Sequence, residues 1–137
     1  MPATSPPSPN NRPSTEELAS LEVFQGVDLG SVQDLLNHCP LVELEPGDIL
    51  LQAGQHHGVM YLVLSGRLSV HLEGPTTDRV ATIQPGSTVG ELSVLDESPA
   101  SAFVIAENQV RLLAVNEVAF WRMVNVSHDF ARVCLRN

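Results

Sequence analysis

The run VMYLVLSGRLSVHLE, Val59–Glu73, decides the class of fold. Two segments rich in Val, Leu and Tyr meet at the turn pair Ser65-Gly66, too close together for a helix to fit between them. In the second segment Leu68, Val70 and Leu72 alternate with Ser69, His71 and Glu73, which predicts one face on the core and one in water. The same texture spreads outward from Leu41 to Val115, through LVEL, DILLQ, DRVATIQ, SAFVIAE and QVRLLAV. Breaks fall at Pro46-Gly47, Ala53-Gly54, Gly74-Pro75 and Pro85-Gly86. About seven or eight short strands with regular turn signals predict a mainly β domain, an antiparallel β-roll or jelly roll (double-stranded β-helix).

Helices flank this region. Ser14 and Glu17 have capping-box spacing, which predicts two helix-start N–H groups satisfied and a helix over residues 15–22. Leu29 to His38 reads as a second helix with Leu29, Val32, Leu35 and Leu36 on one face, stopped by Pro40. After Val115, Asn116 is an N-cap, and Val118, Trp121, Met123 and Val124 mark an apolar stripe with Trp121 as a core anchor. Ser127 caps a last helix whose apolar side includes Phe130, Val133 and Cys134. The expected organisation is a Pro/Ser-rich disordered tail over 1–13, a folded domain over 14–126, and a C-terminal helix starting at 127. That helix runs to Asn137 without a cap, as expected of a segment leading into an output domain.

Composition excludes several classes. Seven basic residues against 16 acidic ones give a net charge of −9, which repels phosphate backbones and anionic lipid surfaces alike. No apolar run is long enough to span a bilayer, and no basic region followed by an apolar run marks a signal peptide. Cys39 and Cys134 lie far apart in helical patterns and read as buried thiols of a cytoplasmic protein. The pair His56-His57 raises a cupin-type metal site, but adjacent residues of a strand point to opposite faces, no Glu follows before Gly66, and His128 lies in the last helix. An exposed turn is the expected home of both histidines. No nucleophile motif is present, and Asp96-Glu97 reads as a solvated turn.

The chemistry concentrates in GELSVLDESPASA, Gly90–Ala102, which interrupts the strand pattern. Glu91 to Leu95 suits one helical turn, whose N-terminal amides favour an anion. Gly90 permits close backbone approach, Pro99 fixes the exit, Ser101 can donate a hydroxyl, and Glu91 can accept from sugar hydroxyls. Glu91 could equally cap neighbouring amides with no ligand present.

This stretch resembles the phosphate-binding cassette of the cyclic nucleotide-binding domain family, G-E-[LM]-x-x-L-x-x-x-P-R-[ST]-A. Gly90, Glu91, Leu92, Leu95, Pro99, Ser101 and Ala102 are in register with it. Pro46-Gly47-Asp48-Ile49, Gly54, Tyr61, Gly66 and Pro85-Gly86 match the family's spaced turns, and Phe24 with Val27, Asp28 and Leu29 matches its opening segment. The resemblance covers residues 16–135 and implies a regulatory sensor of cyclic AMP or cyclic GMP rather than an enzyme, with no cofactor beyond that ligand. It implies a site of Gly90, Glu91, Leu92, Ser93, Ala100, Ser101 and Ala102. Glu91 would accept from the ribose 2′-OH, Gly90 and the amides of Glu91 and Leu92 would line the sugar phosphate, and Ser101 would touch phosphate or base.

The family's arginine, which pairs with the cyclic phosphate, is Ala100 here. A charge-assisted contact of that kind contributes about 1.5–3 kcal/mol. Three readings follow: a cyclic mononucleotide bound weakly or through a replacement cation such as Arg67 or Arg79, a different ligand, or an empty pocket in a dimerisation or interaction module. The ending VNVSHDFARVCLRN is similar to the stretch ahead of GGDEF diguanylate cyclases in bacterial sensors, which implies an output domain in the same polypeptide and a homodimer through the C-terminal helix.

Overall fold

The computed structural model describes residues 12–21, 24–25, 29–90, 98–130 and 132. Two helices come first, α1 (Thr15–Ser20) and α2 (Leu29–Asn37). Eight strands follow: β1 (Leu41–Leu44), β2 (Ile49–Leu51), β3 (Val59–Ser65), β4 (Leu68–His71), β5 (Ala81–Ile83), β6 (Thr88–Val89), β7 (Phe103–Ala106) and β8 (Val110–Asn116). Helix α3 (Glu117–Val126) continues directly from β8. The strands form two four-stranded antiparallel sheets, β1-β8-β3-β6 and β2-β7-β4-β5. First strands pair with last, Leu41 opposite Leu113 and Ile49 opposite Ile105, as in a roll wound from one long hairpin. The expected mainly β fold with flanking helices is the one observed.

The first sheet is buried on both faces. Its inner face joins Val63, Val89, Val110 and Leu112 to Leu68, Val104 and Ala106 of the second sheet. Its outer face carries Met60, Leu62, Leu64, Leu113 and Val115 into a second core with Leu18, Val32, Leu36, Phe120, Met123 and Phe130 of the helical segments. Two-sided burial explains why VMYLVL is an unbroken apolar run rather than an alternating one.

The caps follow the local sequence. Ser14 accepts from the Glu17 N–H, Asn116 Oδ1 from the Ala119 N–H at 2.8 Å, and Ser127 Oγ from the Phe130 N–H at 3.1 Å. Loss of a capping oxygen removes about 1 kcal/mol, so Asn116→Ala is expected to lower stability by about that amount in urea denaturation, with an unchanged m value. Glu17 does not complete the capping box. Its carboxylate instead forms a bidentate pair with Arg111 of β8, at 2.9 and 3.1 Å. Arg12, assigned to the tail by composition, donates to the carbonyls of Leu36, Asn37 and Cys39 and so caps the end of α2.

Three expectations are corrected. On β4 the side chains alternate, but the outer face is not wet: Ser69 and His71 are 5% and 8% exposed. Residues 72–80 fold back over them, with the Val80 N–H bonded to the Val70 carbonyl. The Thr77 carbonyl can only accept, so His71 Nδ1 donates to it at 2.7 Å, and Nε2 lies 2.8 Å from the Ser69 hydroxyl oxygen. Leu72, beyond the end of β4, is 56% exposed. On α3 the buried stripe is Phe120 and Met123, while Val118 and Trp121 face solvent, with Trp121 41% exposed and set edge-on to Phe120 at 5.1 Å. The helix turns Phe120 to Phe130, which stacks in turn on Phe24, and neighbouring helical positions lie about 100° apart, so Trp121 is carried off that face. Val133 and Cys134 lie outside the described residues, as do Val27 and Asp28.

Candidate functional site

Gly90 follows β6 with φ +84°, and a Cβ there would stand 2.8 Å from the Val59 carbonyl oxygen. Only glycine lets the chain leave the sheet at that point without displacing β3. The chain returns through residues 98–102, which are zipped to the turn between β2 and β3. The Ala100 N–H donates to the Gln55 carbonyl at 2.9 Å, and the Gly54 N–H donates to the Ala100 carbonyl at 2.8 Å.

These segments enclose a pocket of about 250 Å³. Its apolar wall includes Leu51, Val70, Ile83, Val89 and Val104 from five different strands. The cassette contributes Gly90, Ala100, Ser101 and Ala102, so four of the residues chosen from sequence are brought to one place. Thr88, Ser98, Ser101 and His57 are the polar side chains on the described wall. An apolar cavity with a few convergent polar groups is the usual form of a small-molecule site. Glu91, Leu92 and Ser93, with the expected helical turn over 91–95 and the Asp96-Glu97 turn, lie outside the described residues.

Among the described residues, no lysine or arginine lines this pocket. The two replacement cations suggested by sequence are held elsewhere. Arg79 Nη1 contacts both carboxylate oxygens of Glu107 at 3.0 Å, and Arg67 Nη2 lies 3.3 Å from the same carboxylate. His57, by contrast, was expected only in an exposed turn, yet it is half-buried and part of the pocket wall. The glycines flanking GQHHG announce a turn. They carry no signal for which histidine faces inward, because that follows from the pairing with Ala100.

Other groups are quieter. Burial pushes the Tyr61 phenol up, which keeps it neutral where it packs beside Val89 of β6. Burial also raises the Cys39 thiol, against a smaller lowering from Arg12, so this free cysteine is a protonated core residue rather than a nucleophile. Among the described residues there is no cluster of three or more His, Cys, Asp or Glu that could hold a metal ion, and no helix long and apolar enough to cross a membrane.

Comparison with known proteins agrees with this geometry. The family model described as "Cyclic nucleotide-binding domain" matches residues 41–127, the whole roll together with α3. The acetyltransferase Pat of Mycolicibacterium smegmatis is 32% identical over 95 residues, which cover 69% of this chain and 28% of that protein. A CRP-like cAMP-activated global transcriptional regulator of Mycobacterium tuberculosis is 24% identical over 127 residues, covering 88% of this chain and 57% of the regulator. This chain thus spans less than two thirds of either relative. The crystal structure of the N-terminal domain of a transcriptional regulator from Streptomyces coelicolor A3(2) superimposes with a TM-score of 0.69 at 27% identity, covering 90% of this chain and 87% of that one. With the roll, the pocket at Gly90 and the matched residues in agreement, the chain belongs to the cyclic nucleotide-binding domain family.

Proposed function

We propose that this chain is a non-catalytic, cytoplasmic regulatory domain that binds a cyclic mononucleotide in the pocket beside Gly90 and Ala100 and relays occupancy through its helices to an output domain in the same polypeptide. The observation that carries this reading is the convergence of Gly90, Ala100, Ser101 and Ala102 on one pocket of about 250 Å³. The similarity to the tuberculosis regulator, whose name makes it cAMP-activated, supports a ligand of that class. An output of the GGDEF type is the one that the C-terminal stretch resembles, and a homodimer through the C-terminal helix would couple two such outputs.

A short physical route supports the relay. Gly90 packs on Val59, Val59 pairs with Asn116 across β3 and β8, and Asn116 is the N-cap of α3. A ligand that draws the cassette inward would shift α3 between two packings, provided that it binds one of them more tightly. Trp121, the single tryptophan of the chain, sits on α3 and reports that shift.

Calorimetric titration with cyclic AMP, cyclic GMP and cyclic di-GMP tests the reading, with Trp121 fluorescence followed in parallel. Saturable binding of a cyclic mononucleotide with a change in emission is the expected result. The wall without a described cation favours a second reading, a ligand-free interaction module. Silence from all three nucleotides in a folded preparation would select that second reading.

A further inference from the structure

His57 stands on the wall that carries Ala100. Two backbone hydrogen bonds join Gly54 and Gln55 to Ala100, and His57 follows two residues later in the same turn. Both His57 and Ala100 line the pocket. We infer that His57 is the anion-recognising group of this pocket, taking the place of the arginine that Ala100 lacks, and that it selects a ligand bearing a phosphate-type anion. This inference rests on the reading of the pocket as a nucleotide site and specifies how that site meets its ligand's charge.

The chemistry of the turn suits the role. His57 Nε2 accepts from the Gln52 N–H at 3.4 Å, a long bond that places the ring proton of the neutral form on Nδ1. Gln52 is exposed, so water can take over its N–H when the ring charges. An imidazolium keeps its Nδ1–H as a donor for a phosphate oxygen and adds a positive charge. The residues that face His57 across the pocket from β2, β4, β5, β6, the 98–102 segment and β7 are Leu51, Val70, Ile83, Thr88, Ser98, Ser101 and their apolar neighbours, none of them titratable. His56, beside it in the turn, is exposed, and Glu91, Asp96 and Glu97 lie outside the described residues.

A bound anion favours the charged imidazole, and imidazoles change charge between about pH 5 and pH 8. Affinity for an anionic ligand therefore rises as pH falls through that range. The cyclic phosphate stays singly charged throughout it, so the change belongs to the protein.

The test is binding of cyclic AMP and of adenosine, its phosphate-free counterpart, at about pH 5.5 and about pH 8. Cyclic AMP is expected to bind the native chain tenfold or more tighter at the lower pH, and adenosine is expected to bind equally at both. In His57→Gln the low-pH gain disappears, and melting curves verify that the variant is folded. Ala100→Arg gives a second check without touching His57, since a permanent cation at position 100 shrinks the pH dependence. Cyclic AMP binding that is flat with pH, or a gain retained in His57→Gln, overturns the role of His57 and leaves the nucleotide reading standing. Where cyclic AMP does not bind, cyclic GMP and guanosine take its place in the same test, and no binding of either cyclic mononucleotide at either pH overturns both.

Discussion

Ala100→Arg is expected to tighten cyclic mononucleotide binding tenfold or more at neutral pH. Ala100 lines the pocket, and its backbone is held on both sides by the bonds to Gly54 and Gln55, so its side-chain direction is set by the fold rather than by the side chain. No described lining residue is a lysine or arginine, so a guanidinium there meets no permanent cation on that wall. Arginine adds a fork of donors suited to a phosphate, and one charge-assisted contact of this kind contributes about 1.5–3 kcal/mol. At 1.4 kcal/mol per decade this is roughly a tenfold to hundredfold gain in affinity. Titration of native and variant chains with cyclic AMP and cyclic GMP measures it directly. An unchanged dissociation constant would mean that the phosphate does not sit against residue 100, and the cassette assignment would fail with it. The gain is expected to be smallest at low pH, where His57 already supplies a charge.

The largest stability effect is expected at Gly66, between β3 and β4. Its φ is +87°, and a Cβ built there stands 2.3 Å from the Gln109 carbonyl oxygen and 2.8 Å from the Val110 Cα. Both obstacles are backbone, and Val110 sits in the core between the sheets at 0% exposure, so neither can yield without moving β8. A left-handed conformation costs a residue with a Cβ about 1–2 kcal/mol, and overpacking adds about 1–3 kcal/mol. Gly66→Ala is therefore expected to remove roughly 2–5 kcal/mol, a large part of the stability of an ordinary domain. Gly47→Ala is the matching control. Its φ is +92°, but a Cβ there meets nothing within 4 Å, so only the conformational cost remains. Urea denaturation of the two variants separates the terms, and equal losses would show that the contact with Gln109 relaxes freely.

What could be read in advance divides by the range of the forces involved. Ser14, Asn116 and Ser127 cap helices as their sequence context predicts, because a cap joins a side chain to an amide three residues away. The strands fall where turn residues and β-rich runs place them, and Val32 and Leu36 face the core because helical spacing alone aligns them. Glu17 marks the limit. Its capping-box spacing is local, but its carboxylate finds Arg111 at a separation of 94 residues, and a bidentate ion pair outcompetes one backbone N–H. The same limit hides Ser69 and His71, whose burial depends on where the 72–80 segment lies, and the exposure of Trp121, since Phe120 takes the buried position beside Phe130.

The sequence by itself determined the antiparallel roll, the flanking helices, the family and the position of Ala100 in the cassette, since each depends on residue types at short spacing or on a pattern of turns along the chain. Only the tertiary structure decided what stands beside that alanine. The pairing of Ala100 with Gly54 and Gln55 joins segments more than 40 residues apart and brings His57, not Arg67 or Arg79, to the pocket wall. Local spacing carries no information about such a neighbour, because the packing of two sheets against each other selects it.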